Sequence, residues 1–436
     1  MLGSSDSHGS APTGPVEHGR SDLPSQGQIP GHIDLSHPSQ GQIPGRIDLS
    51  HRDGLTQLKN LLEECAQAVL SNDWEIAHDR IQYLLGNRLS AQGDSIERVA
   101  SYFTAALATH ISKATGTQIS LPLALVQPPG SDELLTAYLA LNQVTPFVRF
   151  AHLTANQALL EALDGEWYLH IVDLDIVHGL QWPPFMQALV DVRADQGAGL
   201  PQLCITGIGK DRQVLEMTGR RLVSFAQSID LPFEFIPLIH QNLDSLRPTM
   251  LRLRSGEALA VNCMLQLHTL LDEEGTGALE FFLGMLHSLN PRVVTLAERE
   301  ANTNRFADAL DHYSFLFDSL EATLPRTSLE RTRVEQLWFW KEISNIVAAT
   351  HEGQESSSSL DLRVVRYRKF DQWRIFMETA GFQLLPTSKF ALAQARLLLR
   401  LHYPSEGYRL VEDDAGCLLL GWKDDPLFAV SSWNAV

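Results

Sequence analysis

The sequence predicts an α/β protein: a mostly parallel sheet that closes with a C-terminal antiparallel hairpin, preceded by an α-helical cap. Three observations predict it. Apolar residues from Leu55 to Leu70 recur at three- and four-residue spacing, the mark of one helix face. From Trp167 onward, short apolar runs alternate with helical stretches, the grammar of parallel strands joined by crossover helices. Near the end, Tyr408–Glu412 and Cys417–Trp422 flank the turn Asp413–Gly416, which reads as a hairpin.

The first 52 residues are rich in Ser, Gly, Pro, His and Gln and poor in large apolar residues, so they are expected to stay unfolded. They contain a direct repeat: Pro24 to His37 reads PSQGQIPGHIDLSH, and Pro38 to His51 reads PSQGQIPGRIDLSH. Two short polar copies are too few and too small for a solenoid. The folded part is expected over 53–436, with a helical cap in 53–165 and the α/β core in 166–436. In the cap, Leu58, Leu61, Leu62, Cys65 and Val69 share the first helix face, and further helices follow at 74–85, 94–114, 132–142 and 145–163. Asp94 with Glu97 forms a capping-box pattern. In the core the expected strands are Tyr168–Asp173, Gln202–Thr206, Phe233–Pro237, Ala258–Cys263 and Val293–Ala297. Helices are expected over Asp211–Ile229, Thr303–Leu324 and 388–401. The two residues after Asn434 are expected to fray.

Composition narrows the function. The net charge of −18 repels phosphate, so nucleic-acid contact would require a local basic patch or a partner. The four cysteines form no CxxC pair, which argues against a disulfide framework or a structural zinc site. No apolar run is long enough to cross a bilayer, the N-terminus lacks a secretion-signal layout, and no dense Lys/Arg cluster suggests nuclear import.

The first strand ends Val172-Asp173-Leu174-Asp175 and continues Ile176-Val177-His178-Gly179. A nucleotide cofactor at this point needs glycines that let backbone approach it. One glycine stands there, and Ile176 and Val177 put side chains in the way. Gly207-Ile208-Gly209-Lys210 lacks the spacing of a phosphate-binding loop. HExxH and GxSxG motifs are absent. His170, inside the first strand, reads as a hydrogen-bonded core residue. No catalytic residue, metal ligand or cofactor is assigned.

Five segments carry a family resemblance. Tyr168–Leu189, YLHIVDLDIVHGLQWPPFMQAL, resembles the VHIID motif of the plant GRAS family, with Leu169, His170, Ile171, Val172 and Asp173 at its centre. Pro146–Leu163, PFVRFAHLTANQALLEAL, is similar to the stretch that precedes that motif in the family, and Gly256–Asp272 resembles its second leucine-rich region. Pro291, Phe306 and Tyr313 match the PFYRE pattern, and Trp373 with Gly381 and Trp422 with Trp433 match the SAW pattern. One departure is Lys341, which precedes Glu342 where the family carries an arginine, so an ion pair there loses its bidentate fork. The letters Asp132-Glu133-Leu134-Leu135 fall in the helical block, where they imply no hormone-sensing motif. The resemblance, closest to the lateral-suppressor and scarecrow-like branch, implies a Rossmann-like, methyltransferase-type core. It also implies a nuclear transcription regulator of plant development, without a reaction. Its partners would be DNA-binding transcription factors and a second copy of itself.

Two kinds of surface are expected. The LxxLL sequences Leu58, Leu61, Leu62 and Leu267, Leu270, Leu271 are candidates for inserting leucines into a partner's groove, against a core-packing role. Arg363, Arg366, Arg368, Lys369 and Arg374, interleaved with aromatics, are candidate DNA contacts, against a solvated face. Direct DNA binding through this stretch, or residual S-adenosylmethionine chemistry at Asp173, are the competing readings.

Overall fold

The computed structural model describes residues 47, 52–87, 89–121, 131–271, 277–348, 366–412 and 416–436. The cap opens with α1 (Arg52–Leu70), α2 (Trp74–Gly86), α3 (Ser95–Thr115), α4 (Ser131–Val144) and α5 (Phe147–Ala162). Asp94 caps α3, its carboxylate accepting the N–H groups of Ile96 and Glu97, so the capping signal read from sequence is used. Ile47, from the second repeat copy, is buried in the cap core and donates its N–H to Asn87 Oδ1 at 2.8 Å. At Ile47, then, the chain already packs within the stretch expected to be unfolded; the rest of the repeat lies outside the described residues.

The core follows as β1 (Tyr168–Asp173), α6 (Trp182–Asp195), β2 (Gln202–Gly209), α7 (Arg212–Ser228), β3 (Phe233–Ile239), β4 (Ala258–Met264), α8 (Gly277–Ser288) and β5 (Val293–Arg299). These five strands are parallel in the order β3-β2-β1-β4-β5. All five expected strands are present, and β2, β3 and β5 run on to Gly209, Ile239 and Arg299. Alternate residues face opposite layers, as the strand period requires. Leu169 and Ile171 pack with α6 and α7, whereas Val172, Val261 and Val294 pack with α8 on the other side.

Next come α9 (Phe306–Thr323), α10 (Leu329–Arg333), a π-helical turn Val334–Phe339 and α11 (Trp340–Ala348). Their apolar side chains join those of α1 and α3 in one cluster. The cap is thus built from two stretches of chain, not from 53–165 alone. A group of four charges, three of them buried, helps join them. Arg98 of α3 bonds Glu335 at 3.0 Å, and both Arg98 and Arg331 bond Glu321.

The C-terminal part adds α12 (Phe370–Thr379), β6 (Phe382–Leu385), α13 (Lys389–His402), β7 (Tyr408–Glu412), β8 (Leu418–Trp422) and β9 (Asp425–Ala435). The expected pair β7–β8 forms and is antiparallel, with its turn 413–415 outside the described residues. It does not close the sheet directly: β9 lies between β5 and β8 and also pairs with β6. The terminal residues therefore do not fray. Ala435 pairs with Phe382, and Val436 donates its N–H to Gly381 O at 3.3 Å.

The SAW-pattern residues cluster around β9. Trp433 is fully buried opposite Val294, and its Nε1–H donates to Ser431 Oγ at 2.9 Å. Trp373 is buried on the same side. Gly381 has φ +91, and a Cβ there would meet His287 at 2.8 Å, so only glycine suits the turn. Trp422 is buried and donates to Asp318.

Candidate functional site

Strand order reverses between β1 and β4, and in open α/β sheets the crevice beyond the strand ends at such a point is where ligands bind. Here the protein's own side chains occupy it. Asp173, the last residue of β1, accepts Trp182 Nε1–H at 2.8 Å and Asn262 Nδ2–H at 3.2 Å. Asn262 of β4 exchanges two hydrogen bonds with Gln181, at 3.0 and 3.1 Å, and accepts Thr295 Oγ1–H at 2.9 Å. Gln181 also donates to Asn156 of α5 at 3.0 Å, and Asn156 donates back to the Gln181 carbonyl at 3.0 Å. These groups are all buried, and a connected, satisfied network in a low-dielectric interior fixes one arrangement of its elements. Burial pushes the Asp173 carboxyl up to about 7, against the two donors that favour its charge.

The turn that follows is held by Leu174 N–H to Asn262 O at 3.1 Å and Ile176 N–H to Ile208 O at 3.0 Å. Ile176 points into the core, and Gly207 leaves the room: a Cβ there would sit 2.9 Å from the Ile176 side chain. Val177 has φ 44, a left-handed conformation costly for a β-branched residue, placed where a cofactor site would call for glycine. Gly179, at φ +64, carries the second left-handed position.

What remains is a cavity of about 100 Å³, lined by Tyr138, His152, Asp175, Val177, Gln266 and Trp338 among others. Ligand sites for drug-sized molecules span about 300–1,000 Å³, so a nucleoside does not fit. Asp175 accepts Gln266 Nε2–H at 2.7 Å, and burial raises its carboxyl to about 6 against the pull of Lys210 and Lys341. His152 is driven down to about 4 by burial. The residues present do not fit the S-adenosylmethionine that a methyltransferase-type fold implies. Among the described residues no group of three His, Cys, Asp or Glu is arranged to hold a metal ion. His170 is the core residue its position suggested, with Nδ1 2.7 Å from Glu257 and Nε2 2.8 Å from Thr206.

The candidate interaction leucines require a correction. Leu58 and Leu62 are buried, and Leu61 is partly buried against the same cluster. Leu267, Leu270 and Leu271 are buried as well, and they lie on a short 3₁₀ turn, Leu267–Leu270, that runs into extended chain. An LxxLL motif needs a helix with three leucines facing out; neither segment offers one, because both spend their leucines on the protein's own core.

Of the candidate DNA contacts, Arg366 alone requires one among the described residues. Arg363 lies outside the described residues. Arg366 is buried, and so is its neighbour Tyr367, whose N–H bonds Thr303 Oγ1 at 3.0 Å. Arg368 is half-buried, and burial together with Arg366 lowers its pKa. Lys369 is exposed, and Arg374 bonds Asp371 at 3.5 Å. Elsewhere, Arg254 bonds both oxygens of Glu234 at 2.7 Å and Arg221 donates to the His178 carbonyl at 3.2 Å.

The PFYRE-pattern residues form a lock that sequence reasoning missed. Pro291 is buried just before β5, and Phe306 packs edge-on against Phe103. Glu342 pairs with buried Arg299 of β5 at 2.8 Å, not with a neighbour at 341, and it accepts the hydroxyls of Tyr313 at 2.9 Å and Tyr367 at 3.2 Å. The Arg299 guanidinium lies over the rings of Phe428, Tyr367, Phe339 and Tyr313 at 5.1–6.0 Å. A charge at the end of the apolar run VVTLAER was the one available signal.

Comparison with known proteins identifies the chain. The sequence profile of the GRAS domain family matches residues 58–434. Scarecrow-like protein 18 of Arabidopsis thaliana is 41% identical over 86% of this chain and 91% of its own length. Protein MONOCULM 1 of Oryza sativa subsp. japonica is 40% identical over 86% and 88%. The crystal structure of SCL7 of Oryza sativa superposes with a TM-score of 0.72 at 34% identity, covering 86% of this chain and 99% of that one. With the profile spanning nearly all of the folded chain and two full-length relatives at this identity, the protein belongs to the GRAS family of plant regulatory proteins.

Proposed function

We propose that this protein is a non-enzymatic regulator of transcription that works in the nucleus through contacts with DNA-binding transcription factors. The observation that carries the reading is the closed crevice beyond β1. Asp173 is committed to Trp182 and Asn262, and the remaining 100 Å³ excludes a nucleoside. Family membership and the printed names of the relatives support a role in plant development. The net charge of −18 and the burial of Arg366 weigh against autonomous DNA binding. A reporter assay in plant cells tests the proposal. The chain tethered to a promoter through a heterologous DNA-binding domain should accumulate in the nucleus and change reporter output. An untethered chain that binds duplex DNA in purified form, with salt-sensitive affinity, or an unchanged reporter, would overturn it.

A further inference from the structure

We propose that the outer face of α13 is a docking surface for an acidic amphipathic helix of a partner protein. Its inner face packs on α5 through Ala391 and Ala395, both buried, with Leu398 and Leu399 partly covered. The opposite face carries Phe390, Leu397 and Leu401, exposed by 60%, 53% and 62%. Positions seven and four residues apart fall on one helix face, so these three form a single stripe, about 16 Å long at helical rise. Scattered exposed apolar residues need no explanation; an aligned stripe on one helix does.

Directly before each stripe residue stands a cation: Lys389, Arg396 and Arg400. They form a second ridge about 100° round the helix from the first. All three are exposed, and none is paired with a described carboxylate, unlike Arg254, which is held by Glu234. In a chain of net charge −18, unpaired cations ranked along an apolar stripe are the feature that selects the occupant. A groove of about 430 Å³ on the arginine flank, lined by Arg396, Leu399, Arg400, Pro404, Ser405 and Tyr408, gives acidic side chains somewhere to lie. The apolar stripe supplies affinity; the cations fix orientation and partner sign. A second copy is a poor occupant, because α13, KFALAQARLLLRLH, has no carboxylate to offer the cations of its copy.

The surface deepens the regulatory reading above and rests on it for biological meaning, but its test needs no transcription, so the two fail separately. The full chain is titrated into a fluorescein-labelled 16-residue peptide with leucines at three- and four-residue spacing and glutamates along the flanks. A matched peptide with lysines in place of glutamates is the control. Saturable binding of the glutamate peptide alone is expected. Arg396→Glu/Arg400→Glu and Leu397→Ser/Leu401→Ser should each weaken it by about tenfold or more. Unchanged circular dichroism certifies the variants, and Lys389→Glu, which alters one exposed cation, serves as the milder substitute for any that misfolds. Equal binding of both peptides, no binding of either, or indifference to the substitutions overturns the proposal. So does sedimentation showing self-association through α13 that excludes the peptide.

Discussion

The turn after β1 and the outer face of α13 each set charged groups beside apolar ones, with opposite results. At the turn, Asp173 and its amide partners are buried and bonded to one another across α5, β1, α6 and β4. On α13, three cations and three large apolar side chains face solvent without partners among the described residues. The first region is where open α/β sheets bind ligands, and here its polar groups are bonded to one another. The second is an ordinary connecting helix, and its unmet interactions mark it for contact.

Substitutions can break that contrast, and they rank by how much buried structure they disturb. Trp433→Ala should cost about 3–5 kcal/mol, since a fully buried indole in β9 is lost between β5 and β6; a urea unfolding midpoint equal to wild type would contradict this. Asp173→Ala leaves the Trp182 and Asn262 donors buried and unpaired and should cost about 2–4 kcal/mol at neutral pH. If the turn were a vacant ligand seat, the same substitution would be nearly silent in unfolding experiments.

The pH dependence sharpens the same point. Asp173 is raised in the folded state to about 7 from an ordinary value of 3.8, so between those values the folded chain holds a proton that the unfolded chain has released. Its contribution to stability is complete below about 4 and is lost as pH rises toward about 7. Urea midpoints measured across that window should show this falling component in wild type and lack it in Asp173→Asn. A profile identical in the two proteins would place the carboxyl in water. The smallest effect belongs to α13: Leu397→Ser/Leu401→Ser should change stability by no more than about 0.5 kcal/mol, because neither side chain is buried. A larger loss by thermal melting would mean the stripe already has an intramolecular partner.

The parallel core was legible because its signals are local. Each of β1 to β5 is a short apolar run bounded by polar or turn-forming residues, and the glycine-poor turn at Ile176 and Val177 could be read directly. β9 was missed because DPLFAVSSWNA is a central strand covered on both faces and shows no clean alternation. The second half of the cap was missed for a different reason. Whether α9 to α11 belong with α3 or with the sheet depends on contacts such as Arg98 with Glu335, which are distant in sequence. The network at Asp173 has the same character: Asn156, Gln181 and Asn262 announce nothing alone. The basic stretch misled because a charge run does not reveal that Arg366 and Tyr367 are buried, with the Tyr367 hydroxyl on Glu342. The α13 surface was hidden too, since its exposed stripe reads in sequence like any core-facing helix stripe.

The central claim, that the protein's own side chains close the crevice at the strand reversal, is tested most directly by titrating the full chain with S-adenosylmethionine in a calorimeter at neutral pH. The account predicts no saturable heat up to millimolar ligand. A saturable isotherm with a micromolar Kd, abolished by Asp173→Asn, would contradict it.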